Sequence, residues 1–377
     1  MIQNSIMQCT KKIAKALGFR RIQKRYGVKR KDLKDFFSQI DNEQIQYVVL
    51  RWFEDLPNLN SDNDLDILVN DDDFKRLRAM TVGAKENDDY ILFDIYPVSN
   101  QVANYSYYTP GIAKHILDGR VRNKNGVWVP NEYDYFYSLA YHALFHKGFS
   151  SGMNSKYTPT KPFNEVKHDF TSILKVMSDS QGLFLSDITM ETIEKCLIEH
   201  DWAPPLDVYF RRSKANEWAY LRAQNYVQDS WRMHAGKVVF ILRNKIIATK
   251  FEDRFRQLVA ESDAIIEREV LLNDKQAEEF MKRTRGGDWG MYVKNSANAG
   301  LAKKVFVINK SLSKQLDPEA TPSGIVEYDY VKSIKAKLRA YYRNNVSVKE
   351  DYHIMHTSDN GIEACYYETV LDDVLKL

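Results

Sequence analysis

Apolar residues fall in two rhythms along this chain, and the changes between them divide it. From residue 47 to residue 95 the rhythm is that of strands. Val48-Val49-Leu50 is a short apolar run, Asp64-Leu65-Asp66-Ile67-Leu68-Val69 alternates before turning wholly apolar, and Ile91-Leu92-Phe93-Asp94-Ile95 is apolar but for one acid. Such runs, bounded by turn residues like Asn60-Ser61-Asp62-Asn63, predict buried strands. Asp71-Asp72-Asp73 follows as a predicted helix N-terminus, where acids suit the macrodipole. From Tyr133 to His146 the spacing becomes helical, with Phe136, Leu139, Ala140, Ala143 and Leu144 on one side. Gly148 to Pro162 is rich in Gly, Ser, Asn, Pro and Thr and predicts a mobile loop. Helical patterning resumes at Asn164–Met177 and Thr189–His200, and Ala203-Pro204-Pro205 marks a break. The last third mixes both rhythms. Strands are predicted at Val238–Leu242, Ile265–Val270 and Lys304–Ile308. Helices are predicted at Phe251–Ser262, at Asn273–Arg283 with an Asn cap, and at Tyr330–Arg343, before a final segment from Tyr352. The fold class is α+β.

A chain of 377 residues is expected to form two or three domains. The pattern divides it into a basic segment 1–34, a first sheet domain 35–128, a helical region 129–235 and a C-terminal domain 236–377. No apolar run approaches the roughly 18–20 residues a membrane span needs. The N-terminus lacks the uninterrupted apolar core and small-residue cleavage site of a signal peptide. Cys9, Cys196 and Cys365 are far apart and odd in number, giving neither a disulfide framework nor a zinc pattern. A reducing cytoplasm is the expected home. Charge is uneven: residues 1–34 carry eleven Lys or Arg against the single acid Asp32, so the other 343 residues are net negative by seven in a chain of net charge +3. Ile2, Ile6, Cys9, Ile13 and Leu17 fall at helical spacing within that segment. A basic amphipathic helix suits an anionic membrane surface, here the inner face. It equally suits a solvated helix packed on a neighbouring domain. Nucleic acid is a weaker fit, because no array of stacking aromatics follows.

Asp64 and Asp66 are separated by one apolar residue, so they point to the same side of a strand, and Asp94 on another apolar strand can close the same site. Oxygen-only clusters of this kind hold Mg²⁺ with its waters and phosphate oxygens. Over residues 40–125 the chain resembles the DNA polymerase β-like nucleotidyltransferases. Their signature is a strand ending in Gly-Gly or Gly-Ser, about a dozen residues, Asp-x-Asp with apolar spacing, and a later Asp on a further strand. The wording Val-Leu-Arg-x-Phe-Glu-x-Leu-Pro…Asp-x-Asp-Ile-Leu-Val is similar to the subgroup found beside bacterial surface-polysaccharide genes. The resemblance implies Asp64, Asp66 and Asp94 as catalytic and metal ligands for Mg²⁺ or Mn²⁺, and a nucleoside triphosphate as substrate. The acceptor it implies is a sugar phosphate, polyol phosphate or glycan. The chain departs from the signature at Arg51-Trp52, which stands where the small residues belong, and Arg51 offers a guanidinium to phosphate instead. Lys147 and Lys167 are further candidate phosphate contacts. His142 and His146 stand at i, i+4, but no acid accompanies them as in a zinc protease helix.

The predicted order of the C-terminal domain, β-α-β-β-α-β, is a ferredoxin-like arrangement. Its ending, His356-Thr-Ser358-Asp359-Asn-Gly-Ile-Glu363-Ala364, is similar to the nucleoside diphosphate kinase segment His-Gly-Ser-Asp…Glu…Ala. That resemblance implies His356 as a phosphate-accepting nucleophile, oriented by Glu363 or Glu368, with Ser358, Arg243, Lys245 and Arg339 around nucleotide or phosphate. The family's Lys-Pro-Asp is here Arg243-Asn244-Lys245, and its Asn three positions before the His is His353. Arg285-Gly286-Gly287-Asp-Trp289-Gly290 reads either as a phosphate cradle with Arg285 as a contact, or as a tight turn. No Walker loop, no GxGxxG after a strand and no Gly-x-Ser-x-Gly elbow occur. Three readings follow: a Mg²⁺-dependent nucleotidyltransferase, a kinase working through His356, or a non-catalytic nucleotide-binding scaffold of a biosynthetic complex.

Overall fold

The computed structural model describes residues 25–57, 64–84, 89–99, 107–159, 166–212, 216–227, 236–244, 251–289, 300–310, 327–345 and 354–377. The amphipathic stripe from Ile2 to Leu17, His353 and Lys245 lie outside the described residues.

The protein is α+β, and its first sheet is mixed. Its strands are β1 (Arg25–Lys29), β2 (Tyr47–Val49), β3 (Leu65–Val69), β4 (Val82–Ala84) and β5 (Tyr90–Pro97), in the order β2-β3-β5-β1-β4. β3 and β5 run parallel, while β2, β1 and β4 pair antiparallel with their neighbours. β1 lies inside the basic segment that charge sets apart as 1–34, and the sheet continues through it. Within Arg-Tyr-Gly-Val-Lys, Val28 is buried and Tyr26 half-buried, too little apolar signal to stand out among so many cations.

Each face of this sheet has its own core. Tyr47, Val49, Leu65, Ile67, Val69, Ile91 and Phe93 face the helix Leu33–Asn42. That helix buries Leu33, Phe36, Phe37 and Ile40, a stripe at i, i+3, i+4 and i+7. Val48, Leu50, Leu68 and Val98 face the opposite way, into the helical region built around Phe136, Tyr137, Tyr141 and Trp218. The Asp71-Asp72-Asp73 run does precede a helix, Phe74–Ala79, but no side chain caps it. Asp71 accepts from Ser99 N (3.0 Å) and Ser99 Oγ (2.6 Å), fastening the end of β3 to the end of β5. Asp73 accepts from Gln46 N at 2.9 Å and pairs with Arg76.

In the helical region, the helix Glu132–Tyr141 passes directly into a π-turn, His142–Lys147, and a 3₁₀ turn, Gly148–Ser151. The expected mobile loop is packed over its described part, 148–159. Gly148, Phe149, Ser151 and Met153 are buried, and Asn154 bridges to Thr189. Gly148 holds φ +54°, and a Cβ there would lie 2.4 Å from Asn216 Oδ1, so glycine is required by close approach rather than by motion. The next helices begin where Asp169 and Thr189 accept the amides of Ser172 and Thr192, at Phe170 and Met190.

A second, wholly antiparallel sheet follows: β8 (Lys237–Arg243), β9 (Ile265–Leu271), β10 (Ala302–Asn309) and β11 (Met355–Thr357), in the order β11-β8-β10-β9. β6 (Val121–Arg122) and β7 (Trp128–Val129) make a separate small hairpin before the helical region. Helices Phe251–Ala260 and Asp329–Asn345 cover one face of the second sheet, over Val238, Phe240 and Leu242. Helices Asp274–Arg283 and Gly361–Val374 cover the other, over Val239 and Ile241. Among the described residues no helix is long and apolar enough to cross a membrane.

Candidate active site

The pleat of β3 and β5 assembles the carboxylates. In their parallel register Asp66 is the partner of Asp94. Both lie on the side of Leu68 and Val98, facing the helical region, and continuing the alternation back from β3 brings Asp64 to the same side. The three acids therefore share one side of the sheet. All three are half-buried. Burial raises the Asp66 carboxyl above its usual range. The Arg51 charge and the Tyr96 hydroxyl oppose that rise, and the charges of Asp94 and Asp64 add to it.

Arg51 leaves the end of β2 and turns under the acids. Its Nη2 donates to Asp66 Oδ2 at 2.8 Å and to the Tyr107 hydroxyl at 2.9 Å, and the residue is 4% exposed. Burial works against its charge, but Tyr107 and Asp66 more than restore it, holding the guanidinium above its usual range. The Tyr96 hydroxyl donates to Asp66 Oδ1 at 3.0 Å. Both Asp66 oxygens thus have protein donors. Behind Arg51 the Tyr107 hydroxyl meets His142 Nδ1, and the Tyr107 carbonyl meets His146 Nε2 at 3.0 Å. The histidine pair that invited a metal reading is occupied in positioning this tyrosine, from a π-turn that rotates both rings toward it.

Trp52 holds φ +57°, the left-handed region where a residue without Cβ sits at least cost. The small residues that the resemblance leads one to expect here are replaced, yet the backbone keeps a conformation that suits them. The indole stacks on His168, centroids 4.3 Å apart. Lys147 and His168 are both pushed down, first by burial and then by neighbouring cations. Arg51 acts on both, and Lys167 acts on both as well. Arg51, Lys147, Lys167 and His168 therefore lie near one another beside the acids. Tyr96 was readable in advance, since it stands two residues after Asp94 on the same strand face. Tyr107 and His168 gave no local signal, and the i, i+4 spacing of His142 and His146 did not point to Arg51, because only tertiary packing brings these residues to it.

The remaining described site residues lie on the second sheet and its helices, and not all together. His356 lies on β11, 7% exposed, with its ring edge-to-face against Trp289 at 4.2 Å and its Nε2 3.5 Å from Arg243. Arg243 is buried, donates to the Trp289 carbonyl, and is pushed down to about 10 by burial and then by the charge of Arg285. Arg339 is exposed on the helix that covers the opposite face of the sheet, so β11 and β8 separate it from His356. Ser358 Oγ is buried and accepts from Val239 N at 2.9 Å, extending the strand pairing. Glu363 accepts from Asp359 N at 2.6 Å and from the Tyr367 hydroxyl at 3.2 Å. The Arg285-Gly286-Gly287 turn already holds an anion, but a protein one. Both oxygens of Asp207 accept from Gly286 N at 2.9 Å, and Arg285 donates through Nη1 to the Asp288 carbonyl.

No protein-family model, curated protein or solved structure matches the chain. The site must be read from its own chemistry. Three carboxylates are the right donor type for Mg²⁺ or Mn²⁺. Their arrangement does not fit a ready two-ion centre, because Arg51 and Tyr96 already satisfy Asp66. Among the described residues no group of three or more His, Cys, Asp or Glu is drawn together as metal ligands are. What the site offers is a fixed guanidinium with further basic side chains nearby, beside carboxylates.

Proposed function

We propose that this protein is a nucleotidyltransferase. It moves a nucleotidyl group from a nucleoside triphosphate to a hydroxyl or phosphate oxygen of a sugar phosphate, polyol phosphate or glycan acceptor, with pyrophosphate leaving as the α–β phosphoanhydride breaks. The observation that carries the reading is the convergence of Asp64, Asp66 and Asp94 on one face of parallel strands, beside a buried arginine. The mixed first sheet, with its parallel β3–β5 pair, supports a polymerase β-like fold. The antiparallel order β11-β8-β10-β9, with helices on both faces, supports a ferredoxin-like C-terminal unit. Transfer of this kind depends on positioning and on neutralising phosphate charge. Arg51 serves both ends. Its Nη2 stays on Asp66 and Tyr107, while its other N–H groups, which bond no described residue, grip the phosphate. Lys147 and Lys167 add charge nearby, and Asp94 takes the acceptor proton. A nucleotide donor suits a cytoplasmic reaction, and the basic residues that precede β1 suit the inner face of a membrane.

The test is label transfer from ATP, CTP, GTP and UTP carrying phosphorus label at the α or the γ position. It is run with and without Mg²⁺, with cell extract as the source of acceptors. Transfer of the α label, lost in Asp94→Asn, is the expected result. Transfer of the γ label alone, lost in His356→Ala, would overturn it in favour of a phosphohistidine kinase. Nucleotide binding with no transfer of either label would instead leave a binding scaffold.

A further inference from the structure

We propose that Arg51 is a resident cation that takes the place of one divalent ion in the carboxylate site, so that the protein binds one ion fewer than its acids would otherwise hold. The inference rests on reading this site as a nucleotidyltransferase centre.

Three observations support it. The first is occupancy. Asp66 has two oxygens, and each already accepts from a protein donor, Arg51 at 2.8 Å and Tyr96 at 3.0 Å. An ion binding Oδ2 would have to displace a guanidinium that is always charged, and would meet its repulsion if it stayed nearby. The second is anchoring. Nη2 also bonds the Tyr107 hydroxyl, which is fixed in turn through His142, and the Tyr107 carbonyl is fixed through His146. On the sheet side, Leu50 N donates to the Asp66 carbonyl at 2.9 Å, locking the backbone that presents Arg51. Moving Arg51 away would strand the half-buried Asp66 and break the buried Tyr107 contact, so the guanidinium is a fixture of the site. The third is position. Trp52 keeps the left-handed conformation of a glycine-type turn. The turn that would bring backbone close to phosphate is retained, and Arg51 adds a side-chain cation at the same place.

The experiment counts Mn²⁺ bound per chain, by titration calorimetry and by electron paramagnetic resonance of the free ion. It compares wild type, Arg51→Gln and the double variant Arg51→Gln/Asp66→Asn. We expect Arg51→Gln to bind one Mn²⁺ more than wild type, and the double variant to lose that gain. Equal counts in wild type and Arg51→Gln would overturn the proposal, as would two ions in wild type. Wild type needs no mutation to be read. If Arg51→Gln does not fold by circular dichroism, a wild-type count of one or none supports the inference and a count of two rejects it. The count requires no turnover, so it stands or falls separately from label transfer.

Discussion

At the residue scale, the Arg51–Asp66 pair changes which substitution is informative. Sequence pattern alone recommends Asp66→Asn as a clean test of chemistry. The structure makes it unclean: Asn leaves a buried guanidinium without its counter-charge, and breaking a buried pair from one side costs about 3 kcal/mol or more. Asp94 is half-buried and is not the partner of Arg51 in that ion pair. We expect Asp66→Asn to lose about 3 kcal/mol in urea unfolding and Asp94→Asn less than about 1 kcal/mol. Both should lose transfer by about 100-fold or more. Wild-type stability in Asp66→Asn would show that the pair contributes nothing to the fold. The three acids were legible because strand alternation is a property of sequence: Asp64-Leu65-Asp66 and Phe93-Asp94 announce their faces. The identity of Asp66's partners was not legible. Arg51 could be seen as an odd residue at a glycine position, but nothing local says that it will turn back on the acid.

At the element scale, the π-turn His142–Lys147 is the part of the site that responds to pH. Burial, followed by the charges of Arg51, His146 and Lys147, holds the His142 imidazole well below the usual histidine range. His142 is therefore neutral in the folded protein and takes up a proton near pH 6.5 in the unfolded chain. The unfolded state binds more protons below that point, so stability is complete above it and falls with acidification. The slope is as much as about 1.4 kcal/mol per pH unit for this group. His168, lowered by burial and then by Lys167, Lys147 and Arg51, adds to the same trend. Unfolding midpoints in urea between pH 7.5 and 5 should fall for wild type and fall less steeply for His142→Gln. A variant whose slope equals that of wild type would remove His142 from the account. Helix starts were partly legible. Asn273 forms the capping box with Gln276 that its sequence suggests. Asp169 starts a helix at Phe170, after the expected span had already begun, and Asn164 itself lies outside the described residues. β4, only three residues with Val82 exposed, carried no period to read.

At the scale of the whole molecule, one carboxylate joins the second sheet to the helical region. Asp207 sits in the helix Leu206–Arg212, is fully buried, and accepts from Gly286 N with both oxygens and from the Tyr367 hydroxyl at 3.3 Å. Leu206 beside it packs against the cores of both units. The glycine-rich turn shows why sequence could not separate a ligand site from a docking site. Arg285, Gly286 and Gly287 all have positive φ, which presents an amide outward, and an amide presented outward will take phosphate or carboxylate alike. Only the fold says which anion arrives, and here it is Asp207. Replacing Asp207 with Ala leaves the Gly286 amide buried without its acceptor and removes one partner of Tyr367. The expected cost is about 2–4 kcal/mol, concentrated at this junction. Since each sheet keeps its own apolar core, the loss should uncouple them rather than unfold either. We expect calorimetric unfolding of Asp207→Ala to split into two transitions. A single transition lowered as a whole would mean that the apolar contact through Leu206 couples the units without the carboxylate. If the split is found while α-label transfer is unchanged, the C-terminal unit is independent of the chemistry at Asp94. If transfer falls with it, the second sheet holds the helical region, and with it Tyr107 and Arg51, in working position.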